Sequence, residues 1–260
     1  MQDFVEQLHE SLSGWDARLM ADYFFLQKDC RNLVKLLRNP ETDLDLEGNY
    51  SREQYLDLIE KADESGAPNK LYPEFMTNFV RNWSRNIETK GYFPEDDILF
   101  QFYDFVLTTC SNKFVCQWYR LNLDVNNILT AMLARKQGWN VADFVQGDGE
   151  VQRMIRENSS KDFNLSSEFD YFKELMQIVE QEDPVKKERM LDAFKWLWLT
   201  DNTFFTPFGI ESVFAYMCKL EMQYRWANLD VEHGKARFQK IIDDLRGSAQ
   251  VPDEYKRKGA

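Results

Sequence analysis

Residues 112–139, NKFVCQWYRLNLDVNNILTAMLARKQGW, constrain the fold more than any other stretch of the chain. Phe114, Trp118, Leu121, Val125, Ile128 and Met132 recur at alternating steps of four and three, the seam of a long helix with one apolar face. Asn112 is placed to cap its start, and Gly138 to end it in the left-handed conformation open to glycine. At about 1.5 Å per residue such a helix runs roughly 40 Å, enough to cross a domain. Asp124 and Asn127 flank the seam and are not spread over the opposite face.

A second copy of that arrangement lies near the start of the chain. Asp29-Cys-Arg-Asn32-Leu33-Val34 lines up with Asp124-Val-Asn-Asn127-Ile128-Leu129, and each copy continues into basic residues, Arg38 in one and Arg135 with Lys136 in the other. The first copy sits in a segment, 15–38, whose Trp15, Leu19, Tyr23, Leu26, Cys30, Leu33 and Leu37 keep helical spacing up to Asn39-Pro40. A carboxylate and an amide at the edge of a buried stripe can bond neighbouring helix ends or basic side chains. Interhelical bonding is the expected role, and contact with a partner or ligand the sharper alternative.

The remaining pattern is helical as well. A first helix begins near Asp3 and pauses at Ser13-Gly14, and Ser51 with Gln54 offers a capping box for a helix over 52–64. Further helices are predicted over 74–88, 95–110, 150–157, 168–182, 184–200, from 206 to about 227 and over 231–246, with a polar loop at 158–167. No segment sustains period-two alternation, so the expected fold class is all-α, a bundle of long helices with internally repeated lobes. One domain over 1–260 is expected, with possible lobes 1–91, 92–149 and 150–260 and a hinge at 146–149. Opening directly in an amphipathic segment suggests that some N-terminal residues are missing.

Hydrophobic residues make up 43% of the chain and aromatic ones 15%, enough for a sizeable core with large rings between helices. The net charge of −12 repels phosphate backbones and anionic lipid surfaces, which disfavours nucleic-acid binding and direct membrane docking and favours a basic protein partner. The four cysteines form no Cys-x-x-Cys pair and are expected to be buried thiols in a reducing compartment. No stretch approaches the roughly 18 apolar residues of a spanning helix. His9 and His233 lack Glu or Cys at ligand spacing, and neither a phosphate-binding glycine loop nor a Gly-x-Ser-x-Gly elbow is present. No catalytic residue, cofactor or metal is expected.

Two stretches invite more specific readings. Asp43-Leu-Asp45-Leu-Glu47-Gly48 copies the start of a calcium loop, but Gln54 stands at the twelfth position where a bidentate glutamate belongs, so an acidic turn before a capped helix is expected. Trp196, Trp198, Phe204, Phe205 and Phe208 could form an exposed patch for a partner; core packing where two helices meet is preferred.

The 112–139 segment resembles the corresponding helix of the C-type coupling protein (d-type in eukaryotes) of V-type and archaeal A-type rotary ATPases, and most of all its short, divergent Bacteroides-type relatives. Asp29-x-x-Asn32-Leu33 with Leu36-Leu37-Arg38 is similar to that family's early element, and residues 207–229, PFGIESVFAYMCKLEMQYRWANL, to its late one. There Glu211 precedes an aliphatic-aromatic helix, and Arg225 and Asn228 match the charged ending. The resemblance implies an all-helical, threefold repeated funnel without enzymatic activity. It implies partners in the central stalk and the membrane proteolipid ring, and a cytoplasmic location peripheral to the inner membrane. Asp29, Asn32, Arg38, Asp124, Asn127, Arg135, Glu211, Arg225 and Asn228 are the candidate structural or partner residues. The chain is shorter than its archaeal and eukaryotic counterparts, and Tyr224-Arg-Trp226-Ala-Asn228 departs from the expected acidic-basic-asparagine ending.

Overall fold

The computed structural model describes residues 2–45, 48–62, 71–89, 91–167 and 169–227, and among these no residue lies in a strand. Helix α1 is Gln2–Ser11, and α2, Gly14–Met20, runs without a break through a π-helical turn, Ala21–Phe25, into α3, Leu26–Arg38. The chain then forms α4 (Arg52–Lys61), α5 (Glu74–Ile87), α6 (Pro94–Thr109) and α7 (Lys113–Lys136). After a 3₁₀ turn, Val141–Phe144, come α8 (Glu150–Glu157), α9 (Phe172–Glu180), α10 (Pro184–Thr203) and α11 (Ile210–Ala227). The chain divides into two compact units, Met1–Phe214 and Ala215–Ala260. The helix expected over 231–246 lies outside the described residues.

Local chemistry explains where these helices begin and end. Ser51 and Gln54 form the reciprocal capping box at the start of α4. Asp183 caps α10 ahead of Pro184, and Asn112 Oδ1 accepts from the Val115 N–H, 3.1 Å, to start α7. At the other end of α7, Gly138 has φ +71°; Trp139 N–H donates to the Ala134 carbonyl and Gly138 N–H to that of Arg135. That pair of bonds is the Schellman closure, which needs the left-handed residue glycine supplies without strain.

α7 departs from the single apolar face its seam implies. Val115, Tyr119, Asn122, Leu123, Ala131 and Ala134 are buried along with the seam residues. The helix packs against α6, α8, α9 and the 3₁₀ turn, so it is the central rod of the first unit. Near its start the core is aromatic: Phe114 stacks on Trp198 at 5.6 Å, Trp118 lies 5.7 Å from the same indole, and Phe24 and Phe114 meet Phe214 edge-on.

Two further expectations are corrected. Trp198 is core, but Phe204, Phe205 and Phe208 are exposed. α10 ends at Thr203, so these rings ride on the turn that follows and not on the helix face that buries Phe194 and Trp198. The 158–167 loop is not merely polar, since Phe163 and Leu165 are fully buried within it.

Candidate functional site

The two Asp-x-x-Asn pairs build the same device twice. In the first, Asn32 is fully buried on α3; its Nδ2 donates to the Asp45 carbonyl and its Oδ1 accepts from the Asp45 N–H, each at 2.9 Å. One side-chain amide thus holds both main-chain groups of a single loop residue. Asp29, one turn earlier, takes the next part of the loop. Its Oδ1 accepts from the N–H groups of Asn49 (2.8 Å) and Tyr50 (3.2 Å) and from the Tyr55 hydroxyl (2.5 Å), and its Oδ2 from Asn49 Nδ2 (2.7 Å). Asn49 Nδ2 also donates to the Ala21 carbonyl in the π-helical turn, so that turn is used to tie the loop down. A β-carbon on Gly48 would stand 2.5 Å from Asp29 Oδ1, which explains a glycine at that point.

In the second copy Asn127 Nδ2 donates to the Gln146 carbonyl at 2.9 Å, and Gln146 N–H donates back to Asn127 Oδ1 at 2.7 Å. Asp124 Oδ1 accepts from Gln152 Nε2 of α8 at 2.8 Å. In both copies the amide grips one residue of the following loop, and the carboxylate reaches the early turns of the next helix, through Tyr55 in α4 and Gln152 in α8. The 146–149 segment, read as a hinge, is held to α7 by the Asn127 amide, and Arg156 donates to the Val145 and Gly147 carbonyls.

Burial pushes both carboxyl groups above the usual range of an aspartic acid. For Asp29 the donors Tyr55, Asn49 and Tyr50 oppose it, and for Asp124 Gln152 and the Arg120 charge do so. Burial likewise pushes up the Tyr55 hydroxyl, helped by the charge of Asp29. Between the two copies, Tyr103 of α6 is buried, its hydroxyl pushed up to about 12 by desolvation and eased by the Arg31 charge and a hydrogen bond with Asn126. Arg31 and Asn126 each directly precede a clamping asparagine, so Tyr103 feels the charge of one repeat and bonds the equivalent position of the other.

The other candidate residues are dispersed. Arg38 forms a two-pronged, half-exposed ion pair with Glu95 in the first turn of α6. Arg135 instead donates to the Ser160 and Lys161 carbonyls and lies 3.7 Å over the Phe163 ring, so the two basic residues of the echo are not equivalent. Glu211 accepts from Asn112 Nδ2 at 2.8 Å, tying the first turn of α11 to the cap of α7. In the second unit Arg225 stands 5.9 Å from the Trp226 ring. Asn228 lies outside the described residues.

Sequence reasoning found both Asp-x-x-Asn pairs but not their receivers, Asp45, Asn49, Tyr55, Gln146 and Gln152. The only trace of the receivers was position: each lies within the loop that follows or the opening turns of the next helix. Among the described residues no buried side-chain nitrogen or oxygen lacks a hydrogen bond, and no group of three or more His, Cys, Asp or Glu is placed to hold a metal. Each clamping amide gives both ends to one loop residue, and the carboxylates bond the loop or the helix that follows.

Beside the second clamp a cleft of about 840 Å³ opens between α6, α7, the 3₁₀ turn and α10. Asp96, Asp97, Asp143 and Glu188 line it together with Phe93 and Phe144, and no Lys or Arg is among the described lining residues. Burial and the neighbouring Glu95 both raise the Asp96 carboxyl. Such a wall attracts cationic groups and offers aromatic faces to them.

A family described as a protein of unknown function (DUF2764) matches residues 1–248. No curated protein and no solved structure matches the chain.

Proposed function

We propose, for a chain that belongs to the DUF2764 family, that it is the non-catalytic coupling subunit of a prokaryotic V/A-type rotary ATPase, joining the central stalk to the membrane proteolipid ring that moves protons or sodium ions. The observation that carries this reading is the doubled clamp. A part that passes torque must not let its loops yield, and here two loops are bolted to long helices by buried amides that bond both main-chain groups of one loop residue. Repetition of one helix–loop–helix device is also what a collar assembled from repeated lobes requires. The carboxylate-lined cleft supplies a surface complementary to a basic stalk segment. No helix among the described residues is long and apolar enough to cross a membrane, in keeping with attachment through the ring.

The test is purification of the rotary ATPase from detergent-solubilised membranes through a tag on one of its nucleotide-hydrolysing chains. The expected result is that this chain co-purifies with stalk and proteolipid ring in a fixed ratio. An intact, active complex obtained without it would end the proposal.

A further inference from the structure

The turn between α10 and α11 is built for apolar surroundings yet stands in water. Residues 203–210, TFFTPFGI, carry no charge, and Phe204, Phe205 and Phe208 are 72%, 90% and 101% exposed. The turn bonds internally: Thr206 N–H donates to the Thr203 carbonyl and Gly209 N–H to that of Thr206. Thr203 Oγ1 donates to the Leu199 carbonyl and Ser212 Oγ to that of Thr206, while Pro207 has no N–H to leave open. Part of the main chain is thus satisfied within the segment, which lowers the cost of entering an environment without water. Leu197, exposed two helical turns before Phe204, continues the apolar surface down α10.

Area and charge decide what covers the rings. Three phenylalanine side chains bury on the order of 500 Å², short of the roughly 800 Å² each partner gives to a stable protein interface. Phenylalanine also has no polar handle to fix register in a protein pocket. Asp201 and Glu211 bracket the turn, and the net charge is −12, so anionic lipid would be repelled. We propose that the 204–208 turn is a wedge that inserts its phenylalanines into the headgroup–acyl boundary of a zwitterionic bilayer. The charge that disfavours electrostatic docking does not oppose insertion of an uncharged tip. This wedge stands whether or not the chain serves a rotary ATPase, because its test contains no other ATPase component.

The test is flotation of the full chain with phosphatidylcholine vesicles, at low and at high salt. The chain floats at both salts, and Phe205→Ser with Phe208→Ser lowers the vesicle partition coefficient roughly tenfold per ring lost. Because both rings are exposed, the double variant melts like the parent, which separates loss of binding from loss of fold. No flotation, equal flotation of parent and variant, or flotation only with anionic phosphatidylglycerol vesicles would overturn the wedge. So would concentration-dependent self-association abolished by the same substitutions, which would assign the rings to a second copy, or their requirement for retaining a protein partner while vesicles are ignored.

Discussion

Asn127 gives both ends of its amide to one loop residue, and no apolar side chain can copy that. Asn127→Leu leaves the Gln146 N–H and carbonyl without partners in a site where Asn127 is 3% exposed. The expected cost is about 1–3 kcal/mol, read as a lower urea midpoint at unchanged slope; an unchanged midpoint would mean that water replaces the amide freely. Asp124 behaves differently, because Asn in its place still offers Gln152 an oxygen. Its carboxyl titrates above the unfolded value of 3.8 because burial disfavours the charge. Its contribution to stability is therefore most favourable below 3.8, falls as pH rises through the raised value and is constant above it. Asp124→Asn should match or exceed the parent in melting temperature at neutral pH, the advantage vanishing as pH falls toward 3.8. A variant less stable at every pH would show that the carboxylate charge is needed, against this account.

At the scale of helices, what the sequence disclosed depended on whether a terminus carries its own chemistry. Ser51, Asn112 and Gly138 each bond locally, so the start of α4 and both ends of α7 could be placed from residue type. Gly138→Ala should cost about 1 kcal/mol, seen as a lower melting temperature with the helical signal kept, since φ +71° is strained for any side chain. The π-helical turn left no such mark. Its carbonyls are taken by Asn49 and by the Tyr119 hydroxyl, from α7, and such long-range partners do not show in a local pattern. The burial of Phe163 was equally hidden. Phe163 and Asn164 take φ 54° and 61°, a left-handed pair that brings the ring under Arg135. Arg135→Lys keeps the charge but loses the planar guanidinium that stacks on Phe163 while its Nη1 donates to two carbonyls. It should lower stability by about 1 kcal/mol, measurable by urea unfolding, and equal stability would show that a point charge suffices.

For the molecule as a whole, the repeat in the sequence raised one question that only the bonding could answer: whether two matching motifs make one network or two devices. Four matching positions in a stretch of six announced the repetition, but its meaning lay in partners 13 and 19 residues away from the two asparagines. Asn32 acts on its own loop and Asn127 on its own, and among the described residues none bonded to one asparagine is bonded to the other. Tyr103 is coupled to both repeats, yet by the Arg31 charge and a bond with Asn126 and not through the clamping amides. Sites without shared partners usually add to within about 0.5 kcal/mol. Asn32→Leu and Asn127→Leu combined should therefore lose the sum of their separate costs, by urea unfolding of the single and double variants. In the background of Tyr103→Phe, which removes the hydroxyl that bonds Asn126 and feels the Arg31 charge, the same sum should hold. A double-variant loss that departs from the sum by more than about 1 kcal/mol, and returns to it once Tyr103 is Phe, would replace two independent clamps with one network threaded through α6.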